Sequence, residues 1–312
     1  MGKIAFLFPG QGSQTVGMGK DFYDSSEEVK TTFQTADKAL GFPLSTIIFE
    51  GPQEDLTLTY HAQPALLTTS VAILRELNKH HVKPQFVAGH SLGEYSALVA
   101  ANVLSFEDAV IAVHKRGTYM DQAVPAGQGT MAAVLGMNED ELKAVTDEIT
   151  AQGNEVQLAN INCPGQIVIS GTVDGVEQAS ALAKEKGAKR AIPLVVSGPF
   201  HSMLMKPAAQ QLDDTLSTMT FRDAEVPVVA NVIAQPIIDK NEIKTKLVEQ
   251  LYSPVRWQES VELLLEQSVD TFIEIGPGKV LSGLVKKVNR RATVYSIYDV
   301  ASLEATIQAL KG

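Results

Sequence analysis

Residues 85–97 read Gln85-Phe-Val-Ala-Gly-His-Ser-Leu-Gly-Glu-Tyr-Ser-Ala97, and the fold follows from how this stretch is read. Phe86, Val87 and Ala88 make a short apolar run suited to a buried strand, while Tyr95, Leu98 and Val99 recur after Leu92 at helical spacing. Between them stands Gly89-His90-Ser91-Leu92-Gly93, a G-x-S-x-G. A strand that turns sharply into a helix strains its apex residue, and glycines two positions to either side let the neighbouring backbone pack closely. Ser91 would then lift its hydroxyl clear of the sheet at the positive end of the helix. Five common residues are a weak signal alone. Their place between a strand and a helix makes them an elbow rather than a plain turn.

Working outward, Ile4 to Phe8 is strand-length and apolar, and runs into Pro9-Gly-Gln-Gly-Ser-Gln14. Such a turn after a first strand either aims backbone N–H groups at a site or is a loop needing glycine for its shape. It has neither G-x-G-x-x-G nor Gly-Lys-Ser/Thr, so a nucleotide fold is rejected. The segment is neither a signal peptide nor a membrane span. Pro64 to Leu77 is expected to be a helix with Pro in its first turn, preceded by Gln63. Ser105-Phe-Glu-Asp108 forms a capping box opening a helix whose stripe holds Ala109, Val113, Arg116 and Met120. A guanidinium in an apolar stripe needs an anion. Arg116 is either in an internal ion pair or awaits a substrate carboxylate, which it could grip with two hydrogen bonds.

Beyond a linker at 121–128 the pattern changes. Strands at 130–135, 156–162, 166–170 and 190–196 and helices at 139–149 and 176–186 give β-α-β-β-α-β, a ferredoxin-like split unit. The expected fold class is α/β: a large hydrolase-like core with a parallel sheet and nucleophile elbow over 1–126 and 197–312, and a small inserted ferredoxin-like α+β subdomain over 127–196. After it come a short strand at 228–231, a helix ending between Leu247 and Pro254, a strand at 271–275 and a helix at 280–289. Lys286, Lys287, Arg290 and Arg291 cluster beside the apolar face of that last helix, as a solvated face or a docking patch for an acidic partner.

The chain has 312 residues, enough for one large domain or two, with 45% hydrophobic and 20% charged residues. The net charge of -10 argues against nucleic-acid or anionic-membrane binding. The single cysteine, Cys163, excludes an intrachain disulfide, points to a reducing, cytoplasmic setting, and is assigned a structural role at a hairpin turn. With one Cys and scattered His, no metal site is expected.

A serine nucleophile needs a base and oxyanion donors. His201, in Gly198-Pro-Phe-His201 at a junction between elements, is the best base, with a hydrogen-bonded core histidine as the alternative. His90 beside the nucleophile reads as elbow packing. Trp257, the only tryptophan, reads as core.

Taken together, Phe8–Gln14, Gln63-Pro-Ala65, Gly89–Tyr95, Arg116, Asn162–Gln166, Gly198–His201, Gln250 and Glu274–Gly278 resemble the malonyl-CoA:acyl carrier protein transacylases of fatty acid synthesis. The match runs in order along nearly the whole chain. It implies ping-pong transfer of malonyl from malonyl-CoA to the phosphopantetheine thiol of acyl carrier protein, by a monomer with no cofactor. It implies Ser91 as nucleophile, His201 as base and then acid, and the Gln250 backbone carbonyl, in place of a third carboxylate, orienting His201. The backbone N–H groups of Gln11 and Leu92 would form the oxyanion hole. Arg116 would bind the malonyl carboxylate, with Gln63, Phe200, Met120 and Asn162 completing the substrate site. Phe200 matches the pattern associated with malonyl over methylmalonyl selection. Cys163 departs from the small residue, such as Ser, expected there. A serine hydrolase would need an acid between Ser91 and His201 in chain order, and none is evident at a strand end there. A non-catalytic carrier-binding protein would have no need of Ser91, His201 and Arg116 together.

Overall fold

Short apolar runs alternating with amphipathic helices build two sheets. The structure is a computed structural model and describes residues 2–125 and 127–311. Its strands are β1 (Lys3–Phe8), β2 (Phe86–Gly89), β3 (Gly129–Leu135), β4 (Val156–Cys163), β5 (Gln166–Thr172), β6 (Arg190–Pro193), β7 (Val228–Ala230), β8 (Gln235–Ile237), β9 (Val269–Ile275) and β10 (Thr293–Ile297).

The larger sheet runs in the order β10-β9-β1-β2-β7-β8 and is parallel throughout except for β8, which turns back antiparallel to β7. Parallel sheets are covered on both faces, so their strands are apolar on both sides. Ile4, Phe6 and Phe8 of β1 pack into one core with Leu66, Val71 and Leu98, while Ala5 and Leu7 face Trp257, Val261, Leu281 and Leu284. The smaller sheet, β4-β5-β3-β6, is wholly antiparallel. The helices Glu139–Ala151 and Val173–Glu185 cover one of its faces. Met131, Ala159 and Val168 on the other join the main core. Val255 ties the two parts together, its N–H donating to the Ala159 carbonyl at 2.8 Å and its carbonyl accepting from the Ile161 N–H at 2.9 Å.

Several local expectations change. The helix around Pro64 runs Thr59–Asn78, so Pro64 lies inside it rather than in its first turn. Proline supplies no N–H to the carbonyl four residues back. That carbonyl, of Tyr60, instead accepts from His114 Nδ1 at 2.8 Å, which offsets the loss. Ser105 caps its helix by accepting the Asp108 N–H at 3.0 Å, but the return bond of a capping box is absent among the described residues, because an aspartate is one methylene shorter than the glutamate such a box uses. β6 stops at Pro193, three residues short of the expected Val196, as the chain leaves an edge strand to line the cleft described below. Cys163 is the buried last residue of β4, not a turn residue. The helix before Trp257 ends at Gln250, inside the range expected for it. β8, which contains Pro236, is not anticipated, since proline is admitted only at a sheet edge such as this one. The expected boundary between the two units falls at Ala126, outside the described residues. No helix among the described residues is long and apolar enough to cross a membrane.

Candidate active site

Ligands of open α/β sheets gather at the carboxyl ends of the strands. Here those ends deliver Pro9–Gln11 after β1, His90-Ser91 after β2 and Asn231 after β7. The turn after β2 is as tight as the glycines imply. A Cβ on Gly89 would lie 1.9 Å from the Gly93 carbonyl carbon, and one on Gly93 would lie 2.1 Å from the Phe8 carbonyl oxygen. Between them Ser91 takes φ +51°, left-handed backbone that a non-glycine residue adopts only under constraint.

Ser91 Oγ lies 2.8 Å from His201 Nε2. His201 Nδ1 lies 2.8 Å from the Gln250 backbone carbonyl oxygen. A carbonyl can only accept, so the neutral ring carries its proton on Nδ1 and leaves Nε2 free to take the serine proton. His201 is 4% exposed. Burial, and then the Arg116 charge, push its pKa down to about 3, so it is neutral at any ordinary pH.

Arg116 extends from the helix Phe106–Gln122 and is 1% exposed. Its Nη1 donates to Gln63 Oε1 at 2.8 Å, and its Nη2 to Gln250 Oε1 at 2.9 Å and Ser91 Oγ at 3.0 Å. All three partners are neutral. Among the described residues Arg116 makes no ion pair, the alternative the sequence left open. Burial draws the guanidinium pKa down, with Tyr95 and Glu94 pulling the other way, and a buried positive charge whose hydrogen-bond partners are all neutral attracts an anion that reaches it.

Beneath Ser91 lies a polar layer that reading the sequence missed. Glu94 is 1% exposed and accepts from Gln250 Nε2 at 2.8 Å and from the Asn231 N–H at 3.1 Å. Burial raises its pKa to about 7. Asn231 Oδ1 accepts the Ser91 N–H at 2.7 Å. Glu94 belongs to the quoted elbow and Asn231 directly follows a strand, but no local pattern says that they meet.

The cleft above these groups encloses about 570 Å³. Gln11, Leu92, Met120 and Phe200 line it alongside Ser91, Arg116 and His201. Among the described residues the backbone N–H groups of Gln11 and Leu92 donate to nothing else in the chain, so both remain available. Gln63 and Asn162 are not on the wall. Gln63 reaches the site through Arg116, whereas Asn162 Oδ1 lies 2.8 Å from His90 Nε2, and Asn160 takes the wall position. His90 itself also lines the cleft, and its ring lies 5.6 Å from that of Trp257. In the basic cluster Lys286 Nζ donates to the Ala292 carbonyl at 2.6 Å and Lys287 Nζ to Gln166 Oε1 at 2.7 Å, while Arg290 and Arg291 are exposed.

A serine hydroxyl, a neutral imidazole within hydrogen-bond reach of it and a buried cation beside it have the geometry that acyl transfer needs. Residues 5–304 match the model of the acyl transferase domain. Over 311 residues, 100% of this chain and 98% of the relative, the sequence is 62% identical to the malonyl CoA-acyl carrier protein transacylase of Bacillus subtilis (strain 168). The chain belongs to the malonyl-CoA:acyl carrier protein transacylase family. The corresponding transacylase of Staphylococcus aureus (strain MRSA252) is 48% identical over 304 residues, covering 97% of this chain and 98% of that one. Among solved structures, the transacylase of Coxiella burnetii superposes with a TM-score of 0.97 at 42% identity, covering 99% of this chain and 98% of that chain. A malonyl-transacylase solved in complex with a type II polyketide acyl-carrier protein gives 0.96 at 43%, covering 98% and 99%. With such transacylases the chain shares a mixed α/β fold containing a parallel sheet.

Proposed function

We propose that this transacylase-family chain moves a malonyl group from malonyl-CoA to the phosphopantetheine thiol of acyl carrier protein through a malonyl-Ser91 intermediate, in fatty acid synthesis. The observation that carries the reading is the contact of Arg116 Nη2 with Ser91 Oγ at 3.0 Å, which puts a buried cation directly beside the nucleophile, within reach of a carboxylate on an acyl group carried there. The proposed frame is a hydrolase-like core, 1–126 and 197–312, with a ferredoxin-like insertion at 127–196, whose sheet order β4-β5-β3-β6 is that of a split β-α-β unit. The enzyme acts as a cytoplasmic monomer.

In the first half-reaction Ser91 Oγ passes its proton to His201 Nε2 and attacks the thioester carbonyl. Negative charge collects on the carbonyl oxygen, and the N–H groups of Gln11 and Leu92 stabilise it; losing one such donor typically costs about 10² to 10³ in rate. Collapse breaks the carbon–sulfur bond, and the departing CoA sulfur takes the proton from His201. That imidazolium is strongly acidic in its buried setting beside Arg116, so it gives the proton up readily. The carrier thiol then repeats the sequence, losing its proton to His201, attacking the malonyl ester and releasing Ser91 reprotonated. Arg116 grips the malonyl carboxylate, Gln63 and the Gln250 side chain fix the guanidinium, and Phe200 and Met120 bound the acyl space. All bonds and protons balance without a metal or redox group.

The Gln250 carbonyl takes the place of a hydrolase's carboxylate at His201. Initial-rate kinetics with malonyl-CoA and holo-carrier test the reading. Parallel double-reciprocal lines are expected; intersecting lines would mean direct transfer in a ternary complex and no acyl-serine.

A further inference from the structure

Several buried polar groups under Ser91 take no part in the proton transfers, and they converge on one side chain. Asn231, immediately after β7, is 1% exposed. Its Oδ1 accepts the Ser91 N–H at 2.7 Å and its Nδ2 donates to the Gly89 carbonyl at 2.7 Å. These bonds straddle His90, so a single carboxamide ties both ends of the turn. Asn231 is itself fixed on two sides, its N–H donating to Glu94 Oε2 at 3.1 Å and its carbonyl accepting from the Arg256 N–H at 3.0 Å. Glu94 Oε2 also accepts Gln250 Nε2 at 2.8 Å, and that same nitrogen reaches the Ser91 carbonyl at 3.1 Å.

Left-handed backbone at a residue other than glycine persists only where its surroundings over-determine it, and at Ser91 φ is +51°. The Asn231 bonds, with the Gln250 Nε2 contact to the Ser91 carbonyl, are the side-chain constraints on that turn. Relaxation of that angle would swing Oγ away from His201 Nε2, now 2.8 Å distant. A displacement of about 1 Å in a reacting group can cost about 10²-fold in rate.

We propose that Asn231 is a positioning residue for the acyl transfer: it clamps the elbow so that Ser91 keeps its left-handed conformation, while Glu94 locks Asn231 to the Gln250 side chain that also holds Arg116. The inference rests on Ser91 being the residue acylated. Asn231 is not among the residues that line the cleft, so its contribution is to the geometry of the attack and is independent of the acyl group.

The test uses Asn231→Ala and the volume-preserving Asn231→Leu in the full chain. Competent sites are counted by endpoint titration of Ser91 with a fluorophosphonate. Acylation by malonyl-CoA and by acetyl-CoA is then timed by rapid quench and expressed per titrated site. The per-site rate is expected to fall about 10- to 100-fold by the same factor for both donors, with KM for malonyl-CoA within about threefold of the parent. An unchanged per-site rate, with only fewer sites or a lower melting temperature, would overturn the proposal and leave Asn231 a purely structural residue. A loss confined to malonyl-CoA would also overturn it, locating the effect at Arg116. Parent enzyme that labels with the phosphonate but takes no acyl group from either donor would overturn the assigned reaction and this inference with it.

Discussion

Replacing Arg116 with alanine tests why a guanidinium sits in an apolar stripe. A malonyl carboxylate can accept two charge-assisted hydrogen bonds from it, each contributing about 1.5–3 kcal/mol. Together they come to about 3–6 kcal/mol, or roughly 10² to 10⁴ in kcat/KM at 1.36 kcal/mol per decade. The Nη2 donor must give up or share its 3.0 Å contact with Ser91 Oγ to make them, which puts the expected loss near the lower end, about 10²-fold. Acetyl-CoA has no carboxylate, so its transfer should be unchanged or faster. Gln63 Oε1 and Gln250 Oε1 lose their donor in Arg116→Ala, and each buried acceptor left bare costs about 1–3 kcal/mol of stability. The assay therefore compares donors on the same preparation, as single-turnover acylation per titrated Ser91. Arg116→Lys, which keeps the charge and loses the fork, should fall between the parent and Arg116→Ala with malonyl-CoA. Equal losses with malonyl-CoA and acetyl-CoA would refute the reasoning, because Arg116 would then act on Ser91 and not on the carboxylate.

Other consequences can be measured on the same protein. His201 has its pKa depressed to about 3, so the pH profile of kcat/KM should stay level on its acid side down to pH 5, where an ordinary histidine would already have lost about 30-fold. Removing the Arg116 charge makes protonation of His201 easier, so in Arg116→Ala the acid limb should move to higher pH; a parent limb near pH 6.5 would contradict the burial argument. Phe200→Ser opens the cleft wall, and the methylmalonyl-to-malonyl ratio of kcat/KM should rise about tenfold or more, as for one methyl group's worth of space. Reversing charge at Lys287, Arg290 and Arg291 should raise KM for the carrier and leave acylation by malonyl-CoA untouched; unchanged carrier kinetics would dismiss docking there.

Local chemistry explains which parts of the molecule were legible beforehand. The elbow could be read because its two glycines meet backbone on every side, and no other residue type fits there. The β-α-β-β-α-β order from 129 to 193 could be read because each element is amphipathic or apolar over its own length. Arg116 stands out because a charge in an apolar stripe is a local contradiction, yet its neutral partners lie 25, 53 and 134 residues away. Glu94 and Asn231 are 137 residues apart and meet only because β2 and β7 are sheet neighbours. Their side chains have no pattern around them until the sheet forms. The helix start at Thr59 was misplaced for the same reason, since the partner that makes Pro64 tolerable is His114, on another helix.

The central claim is that Ser91 holds the malonyl group between donor and carrier. Intact-mass spectrometry tests it directly, after mixing with malonyl-CoA and again after adding holo-acyl carrier protein. Ser91 should gain one malonyl group, absent in Ser91→Ala, that persists without carrier and appears on the carrier when it is added. An adduct that decays to free malonate before carrier arrives would indicate a hydrolase, and malonyl-carrier formed by Ser91→Ala at the parent's rate would contradict the account outright.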